Sequence, residues 1–460
     1  MVRVNDARGH LGPEAAVNEE AELLQSLIRN SCINDGSNNP EEIRNADMLL
    51  SVIEPTAATV DVVDAAPGRR SLIARWPGTD PSAPTLMLLG HTDVVPADAN
   101  RWERDPFAAE VHDGFIWGRG AMDMLGHIAT MTLAFRDLVT RGRHLPGDVV
   151  LAAVADEEAL SGMGMEFLMR EHSDLLAADW VLSESGGVRS GPSNEPQLNV
   201  LIAEKGAWRV AVEIAAQPGH SSMPFGSESA LGIAAAVVAK LDEADGLIRI
   251  SDEWREVVRR GWDPRAWEVV TDPKRIDAVV ARLPKPAARA VHGLTRMTVV
   301  PTRITTDGSW NSMSAKAVIE LDVRTVAGQE WDDIAEYVHR VVGPDLSERI
   351  HLRTIAYANA SRTAIDTELW QLLERSARAI VPSASLVPAI ATGVTDARFM
   401  RQQGATAYGF GLYSPRIEAA EVPMMLHGDN ERVDVESLAL MRELWSTVFL
   451  GLAERPPHER

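Results

Sequence analysis

The chain has a single cysteine, Cys32, among 460 residues. No intrachain disulfide can form, zinc sites built on several thiolates are excluded, and a bound metal must be held mainly by His, Asp and Glu. A reducing compartment, the cytoplasm, is the expected setting. Basic residues are scarce: 45 Lys and Arg stand against 66 Asp and Glu, a formal charge of −21. Nucleic acid is therefore not an expected partner, because binding to a phosphate backbone depends on clustered cations. Long apolar runs are missing as well. No uninterrupted stretch of about 18 apolar residues occurs, and the first twenty residues carry Arg3, Asp6, Arg8, Glu14 and Glu19 in place of an apolar segment. Neither a membrane span nor a signal peptide is predicted.

What is present is an ordinary globular composition, 45% apolar and 24% charged, in a chain too long for one hydrophobic core. Helical stripes come first, at Leu23, Leu24, Leu27 and Ile28 and then at Ile43, Ala46, Leu50 and Ile53, the second behind an Asn39-Pro40 cap signal. Strand patterns at 60–63, 71–76, 85–89, 149–154 and 180–182 follow, with helical patterns at 126–139 and 163–170 among them. From Lys205 the style changes: Val210, Val212 and Ile214 alternate on one face, as suits a sheet covered on one side only. From Thr367 the earlier style returns. The prediction is an α/β fold, a mostly parallel sheet with helices on both faces formed by residues 1–204 and 357–460, interrupted by a smaller α+β unit at 205–356. Within that unit, residues 242–300 form an insertion with eleven Lys or Arg against ten Asp or Glu and with Trp254, Trp262 and Trp267. An amphipathic helical segment with a solvated face is expected there.

Chemistry collects at the strand ends. Leu86-Met87-Leu88-Leu89 is apolar without alternation, as in a strand buried on both faces, and runs into Gly90-His91-Thr92-Asp93. By itself such a pair is more often a hydrogen-bonded loop than a metal site. The strand pattern at 149–154 leads to Asp156-Glu157-Glu158, the one at 180–182 leads to Ser183-Glu184, and Asp123 sits in the glycine turn Gly118-Arg119-Gly120-Ala121-Met122-Asp123. In open α/β sheets ligands gather at the carboxyl ends of the strands. Three such endings on one sheet edge point to a carboxylate-rich site for Zn²⁺, Mn²⁺ or Co²⁺, with enough acids for two ions sharing one carboxylate. One more histidine is wanted, and His427 is the strongest candidate.

Taken together, His91-Thr92-Asp93-Val94-Val95-Pro96, Asp105-Pro106-Phe107, Gly118-Arg119-Gly120-Ala121-x-Asp123-Met124, Asp156-Glu157-Glu158, Gly219-His220-Ser221-Ser222-x-Pro224 and His427-Gly428-x-Asn430-Glu431 resemble the co-catalytic zinc peptidases and amidohydrolases. That family includes glutamate carboxypeptidase, aminoacylase, acetylornithine deacetylase, succinyl-diaminopimelate desuccinylase and carboxypeptidase S. The resemblance implies a catalytic domain interrupted by a lid that mediates homodimerisation. It implies two divalent ions, Zn²⁺ first and Co²⁺ or Mn²⁺ otherwise, with Asp123 as bridge. His91 and Glu184 would complete one metal position, and Glu158 and His427 the other. Asp93 would orient His91, Glu157 would be the general base, and His220 would stabilise the oxyanion. Arg324 and Asn311 would bind a substrate carboxylate, and Thr395 would lie near the substrate. The implied reaction is hydrolysis of an amide or peptide bond beside a free carboxylate, in an N-acyl amino acid or short peptide. A non-catalytic small-molecule-binding protein and a mononuclear deacetylase are the alternatives. Leu125 departs from the family pattern, which has lysine there, and the 242–300 insertion is longer than in the smallest relatives.

Overall fold

The computed structural model describes residues 18–36 and 41–454, and its chain divides into two compact units. The first takes residues up to Val200 together with Ala364–Val387 and the chain from Phe399 onward; the second takes Leu201–Thr363 and Pro388–Arg398.

In the first unit, strands follow the order Thr59–Ala66, Arg69–Trp76, Val149–Val154, Leu86–His91, Trp180–Ser183, Thr406–Gly409. The first two pair antiparallel and the remaining four are mutually parallel. Every residue of Leu86–His91 and of Val149–Val154 is buried, which is what an uninterrupted apolar run dictates when helices cover both faces. Register then sets the site. Leu86 pairs with Val149 and His91 with Val154, so the two strands end level and the Asp156-Glu157-Glu158 turn emerges beside His91. Leu88 pairs with Leu182, which brings Glu184 to the same edge.

The Leu125–Thr140 helix follows the glycine turn and packs against Val435–Ala453 and Glu19–Arg29. Val435–Ala453 buries Leu438, Met441, Leu444, Trp445, Val448 and Phe449 at three- and four-residue spacing. Each such side chain contributes about 1.5–3 kcal/mol on burial. Asp434 caps it by accepting from Ser437 N–H, which satisfies one of the helix's unpaired donors. The second helix begins at Ile43, with Glu42 in the cap position; the expected Asn39-Pro40 signal lies outside the described residues.

The second unit is built on an antiparallel sheet ordered Leu247–Ile248, Arg296–Thr306, Lys316–Thr325, Gly206–Ala215, Ile350–Ala358. Lys316–Thr325 alternates buried with partly exposed residues along its length, the signature of a sheet covered on one face. Trp208, Val210, Val212, Ile319, Leu321 and Val323 face Ile233, Val237, Ile334 and Val338 of the helices Ala230–Asp242 and Trp331–Val342. The 242–300 insertion is helical, as its composition predicts. Its helices close over a small core of Trp254, Val258, Val270, Ile276 and Val291, where Trp254 Nε1 donates to Val270 O at 2.8 Å. It ends differently from the expectation, because Arg296–Thr306 is a long strand of the sheet. Hydrophobic pattern alone missed it, because the strand is mostly exposed from Val300 onward and carries Pro301; its first residue, Arg296, is buried, with its guanidinium donating to His292 O, Asp245 O and Asp277 Oδ1.

Candidate metal centre

The polar residues that follow the buried strands of the first unit meet at one point. His91 Nε2 lies 3.3 Å from Asp123 Oδ1 and 3.7 Å from Glu184 Oε2. His427 Nε2 lies 3.2 Å from Asp123 Oδ2 and 3.1 Å from Glu158 Oε2. The two oxygens of Asp123 therefore face different histidines. His91, Asp123 and Glu184 offer ligand atoms within 4.8 Å of one another, as do Asp123, Glu158 and His427, and so do His91, Glu157 and Glu158. Ligand atoms each held at about 2.1 Å by one tetrahedral ion sit roughly 3.4 Å apart, so the first two sets match the spacing of two metal positions that share Asp123.

Local backbone explains the convergence. The turn Gly118–Asp123 is wrapped around the Glu431 carboxylate, which is fully buried and accepts from Arg119 Nη1 at 2.8 Å, Gly120 N at 3.0 Å, Met122 N at 2.8 Å and Asp123 N at 3.0 Å. Gly120 is needed for this wrap: its φ is +87°, and a Cβ there would meet Val94 Cγ1 at 2.5 Å. Arg119 Nη2 also donates to Gly428 O at 2.6 Å. Asp123 and His427, more than three hundred residues apart in sequence, are thus tied by one ion pair. His427 and Asp156 both adopt left-handed backbone, with φ of +57° and +66°. Such conformations persist in non-glycine residues only where the surroundings hold them.

Asp93 holds the third side of the site. His91 Nδ1 is 3.0 Å from the Asp93 carbonyl oxygen and 3.5 Å from its carboxylate, so the ring is oriented chiefly by the carbonyl. The carboxylate itself accepts from the backbone N–H groups of Glu157 at 3.3 Å and Glu158 at 3.1 Å. Asp93 therefore positions the following acidic turn as well as the histidine. Its acid range is lowered despite full burial, because His91, Asn34 and the Glu158 amide all favour the anion.

Electrostatically the site is short of positive charge. Five carboxylates, those of Asp93, Asp123, Glu157, Glu158 and Glu184, surround two imidazoles. Burial pushes Glu184 up to about 8 despite its bond to His91. Burial and the charge of Asp123 also raise Glu158. Bonds to Asp123 and Glu158 lift His427 to about 10. Burial would draw His91 down, but Asp123, Asp93 and Glu184 outweigh it and hold the ring well above its usual range. Glu158 Oε1 is buried without a hydrogen-bond partner among the described residues. Packed anions, a buried unpartnered carboxylate oxygen and a donor set of only oxygen and imidazole nitrogen together fit hard or borderline divalent cations. His127, one turn beyond Asp123, belongs to none of these groups; burial draws its ring down to about 4.

A sequence model described as Peptidase family M20/M25/M40 matches residues 87–450, most of the chain. The chain belongs to this family. Mouse aminoacylase-1 is 24% identical over 404 residues, 86% of this chain and 86% of that protein. A probable carboxypeptidase S-like 2 from Dictyostelium discoideum is 26% identical over 381 residues, 80% of this chain and 71% of that protein. Among solved structures, the Bacillus subtilis YXEP protein, titled a dinuclear metal-binding peptidase from the M20 family, superposes with a TM-score of 0.59 at 14% identity. That superposition covers 95% of this chain and 98% of the other. As a member of the M20 family the protein is a metallohydrolase of peptide or amide bonds.

The remaining predicted residues lie in the second unit. His220 Nδ1 accepts from Ser222 N–H at 3.2 Å and is 2.7 Å from Ser222 Oγ. Arg324 is engaged along its own strand, with Nε and Nη2 donating to Asp322 at 2.7 and 3.0 Å. Asn311 is exposed; its side-chain oxygen accepts from Ser309 Oγ at 3.0 Å, and its carbonyl accepts from Ser221 N–H at 3.1 Å. Thr395 donates its hydroxyl and accompanies it with its amide to Glu204 Oε2, both at 2.8 Å. Several residues that build the centre carry no role in the sequence reading. Arg119 and Glu431 lay inside quoted motifs, but nothing in linear sequence says that they pair. Asn34, which donates to Asp93 Oδ2 at 2.8 Å, belongs to no motif at all.

Proposed function

We propose that this M20 hydrolase holds two divalent ions bridged by Asp123 and cleaves an amide or peptide bond next to a free carboxylate, in an N-acyl amino acid or short peptide. The observation that carries the reading is the division of Asp123, one oxygen toward His91 and Glu184 and the other toward His427 and Glu158. A single-ion site needs no such division. Likeness to aminoacylase-1 and to a carboxypeptidase S-like protein supports the substrate class. Zn²⁺ is the first choice for the metal, with Co²⁺ or Mn²⁺ as alternates.

When bound, the ions would supply Lewis acidity and a lowered pKa for water at the site. Glu157 takes the proton from the attacking water and returns it to the departing amine. With three ligands already available to each metal position, its carboxylate is left for proton transfer. His91 is held by Asp93 and so keeps Nε2 toward the centre. His220 serves as oxyanion donor: its Nδ1 accepts from Ser222 N–H, so the neutral ring carries its proton on Nε2 and presents that N–H. Arg324, Asn311 and Thr395 are the proposed substrate-binding residues; to take a substrate carboxylate, Arg324 would exchange its bonds to Asp322 for it.

Amine release should be measured against a panel of N-acyl amino acids and dipeptides with Zn²⁺, Co²⁺ or Mn²⁺ supplied. Turnover of substrates bearing a free carboxylate and none of their amides or esters is the expected result. Equal turnover of carboxyl-blocked substrates would remove the carboxylate from the reading.

The second unit is also proposed as the contact of a homodimer. Phe225, Trp310 and Met223 are largely exposed there on the segments next to His220 and Asn311, an apolar surface of the kind that marks association. Sedimentation velocity should give twice the chain mass, and a monomer across the micromolar range would discard this part. Cytoplasmic residence is proposed from the lone cysteine, whose thiol is buried and pushed up to about 12 by that burial.

A further inference from the structure

Behind Asp93, on the side away from His91, lies a buried polar cluster that neither the metal ligands nor the proton-transfer group explains. Asn34 is 4% exposed. Its Nδ2 bridges two carboxylates, donating to Asp93 Oδ2 at 2.8 Å and to Asp156 Oδ1 at 2.9 Å. Its Oδ1 accepts from Arg69 Nη2 at 3.1 Å and from Gly36 N–H at 3.1 Å. Arg69, also buried, pairs through Nη1 with Glu42 and with Asp156 Oδ1, the latter at 2.9 Å. Asp156 Oδ2 accepts from Met163 N–H at 2.7 Å. Backbone bonds fix Asn34 in the chain beside Asp93: its N–H donates to Val94 O at 2.9 Å, and Val94 N–H donates to Cys32 O at 3.0 Å.

The cluster brings together three carboxylates, Asp93, Asp156 and Glu42, with one guanidinium and one amide. A neutral amide that donates both hydrogens to two anions decides their spacing. Arg69 supplies the charge that makes the grouping tolerable, since buried carboxylates without a paired cation are costly. The two anions that Asn34 joins are the ones that matter for the site. Asp93 contacts His91 Nδ1 and accepts the Glu157 and Glu158 amides, and Asp156 begins the same turn in left-handed backbone. One side chain thus adds a tie, beyond the strand pairing and the Asp93 carboxylate's own bonds, between the segment carrying His91 and the segment carrying Glu157 and Glu158.

We propose that Asn34, backed by Arg69, is a positioning residue that fixes His91 and the Asp156–Glu158 turn relative to one another through Asp93. This rests on the assignment of His91 and Glu158 as metal ligands and of Glu157 as base. Partners one layer behind metal ligands typically change affinity or activity by about 10–100-fold when removed.

Asn34→Ala and the shape-matched Asn34→Asp, which turns a shared donor into a third acceptor, are the test. Three quantities are needed: kcat and KM on an N-acyl amino acid, the rate of Zn²⁺ release to a chelator from protein loaded with Zn²⁺, and Tm. For both variants kcat should fall about 10–100-fold with KM within about threefold, and Zn²⁺ release should quicken by at least about tenfold. Leu49→Ala, a buried apolar truncation on the Ile43–Ile53 helix, supplies a control with a lowered Tm and unchanged release. If kcat or Zn²⁺ release in Asn34→Ala stays within twofold of the parent, or if Leu49→Ala moves both as far, the proposal fails. Should Asn34→Asp not fold, Asn34→Ala decides alone. Failure of the base assignment is separate, because it would show as Glu157→Ala retaining turnover while Zn²⁺ release still answers to Asn34.

Discussion

Glu157→Ala is expected to lower kcat by about 100- to 10,000-fold, the range that removal of a positioned general base or acid commands, while leaving the metal content of the protein unchanged. The backbone N–H of Glu157 donates to Asp93 Oδ1 at 3.3 Å, and alanine keeps that bond. What disappears is a carboxylate within 4.8 Å of ligand atoms on His91 and Glu158. That proximity also allows the opposite role, a metal ligand, and the two roles separate in one experiment. A base lost from the site takes turnover with it and leaves the ions; a ligand lost takes both. Kinetics should therefore be paired with elemental analysis on the same preparation. Turnover near the parent level would remove Glu157 from proton transfer, and loss of one ion in step with activity would reassign it as a ligand.

Asp123→Ala should be at least as severe and should differ in kind. Metal content is expected to fall from two ions per chain to at most one, with hydrolysis lost to the background. Among the described residues Asp123 is the one carboxylate in contact with both histidines, and both His91 and His427 draw it well below its usual acid range even though burial opposes ionisation. Its removal leaves Glu158 and Glu184 without the centre they face and the Glu431 clamp holding an empty turn. Because Glu431 binds the Gly120, Met122 and Asp123 backbone amides and not the Asp123 side chain, the turn itself should survive. Circular dichroism and Tm measured without metal should accordingly stay close to the parent. Two ions retained at full occupancy would contradict the bridge.

Much of this centre was legible along the chain because its parts follow buried strands. An apolar run as short as Leu86–Leu89 or Val149–Val154, in an alternating strand–helix order, reads as a covered strand, and a polar residue that follows it then emerges at the sheet edge. His91, Glu157, Glu158 and Glu184 could be placed together on that basis. Asp123 and His427 were candidates from the residues alone, but their roles as bridge and ligand needed the family pattern, since each sits in a loop held by the ion pair between Arg119 and Glu431. The Arg296–Thr306 strand escaped because most of it, from Val300 onward, is exposed or half-exposed and Pro301 interrupts it, so neither an apolar run nor a clean alternation is left to read. Asp93 was expected to orient His91 by its carboxylate, yet its carbonyl is the nearer group. Its carboxylate is turned to the amides of the next acidic turn, a contact between residues some sixty positions apart.

By itself, then, the sequence determined the chemistry available: no thiolate pair, an acidic overall balance, carboxylates and imidazoles collected after successive buried strands, and a second sheet covered on one face. Only the tertiary structure decided which of those groups touch. Strand register set His91 level with Val154, the Glu431 clamp turned Asp123 so that its two oxygens address different histidines, and Asn34, unmarked by any motif, came to lie between Asp93 and Asp156. Periodicity reports which face of an element is buried, because burial is a property of single residues. Hydrogen-bond partnership depends on pairs of residues distant in sequence, and it is fixed only when the whole sheet has closed.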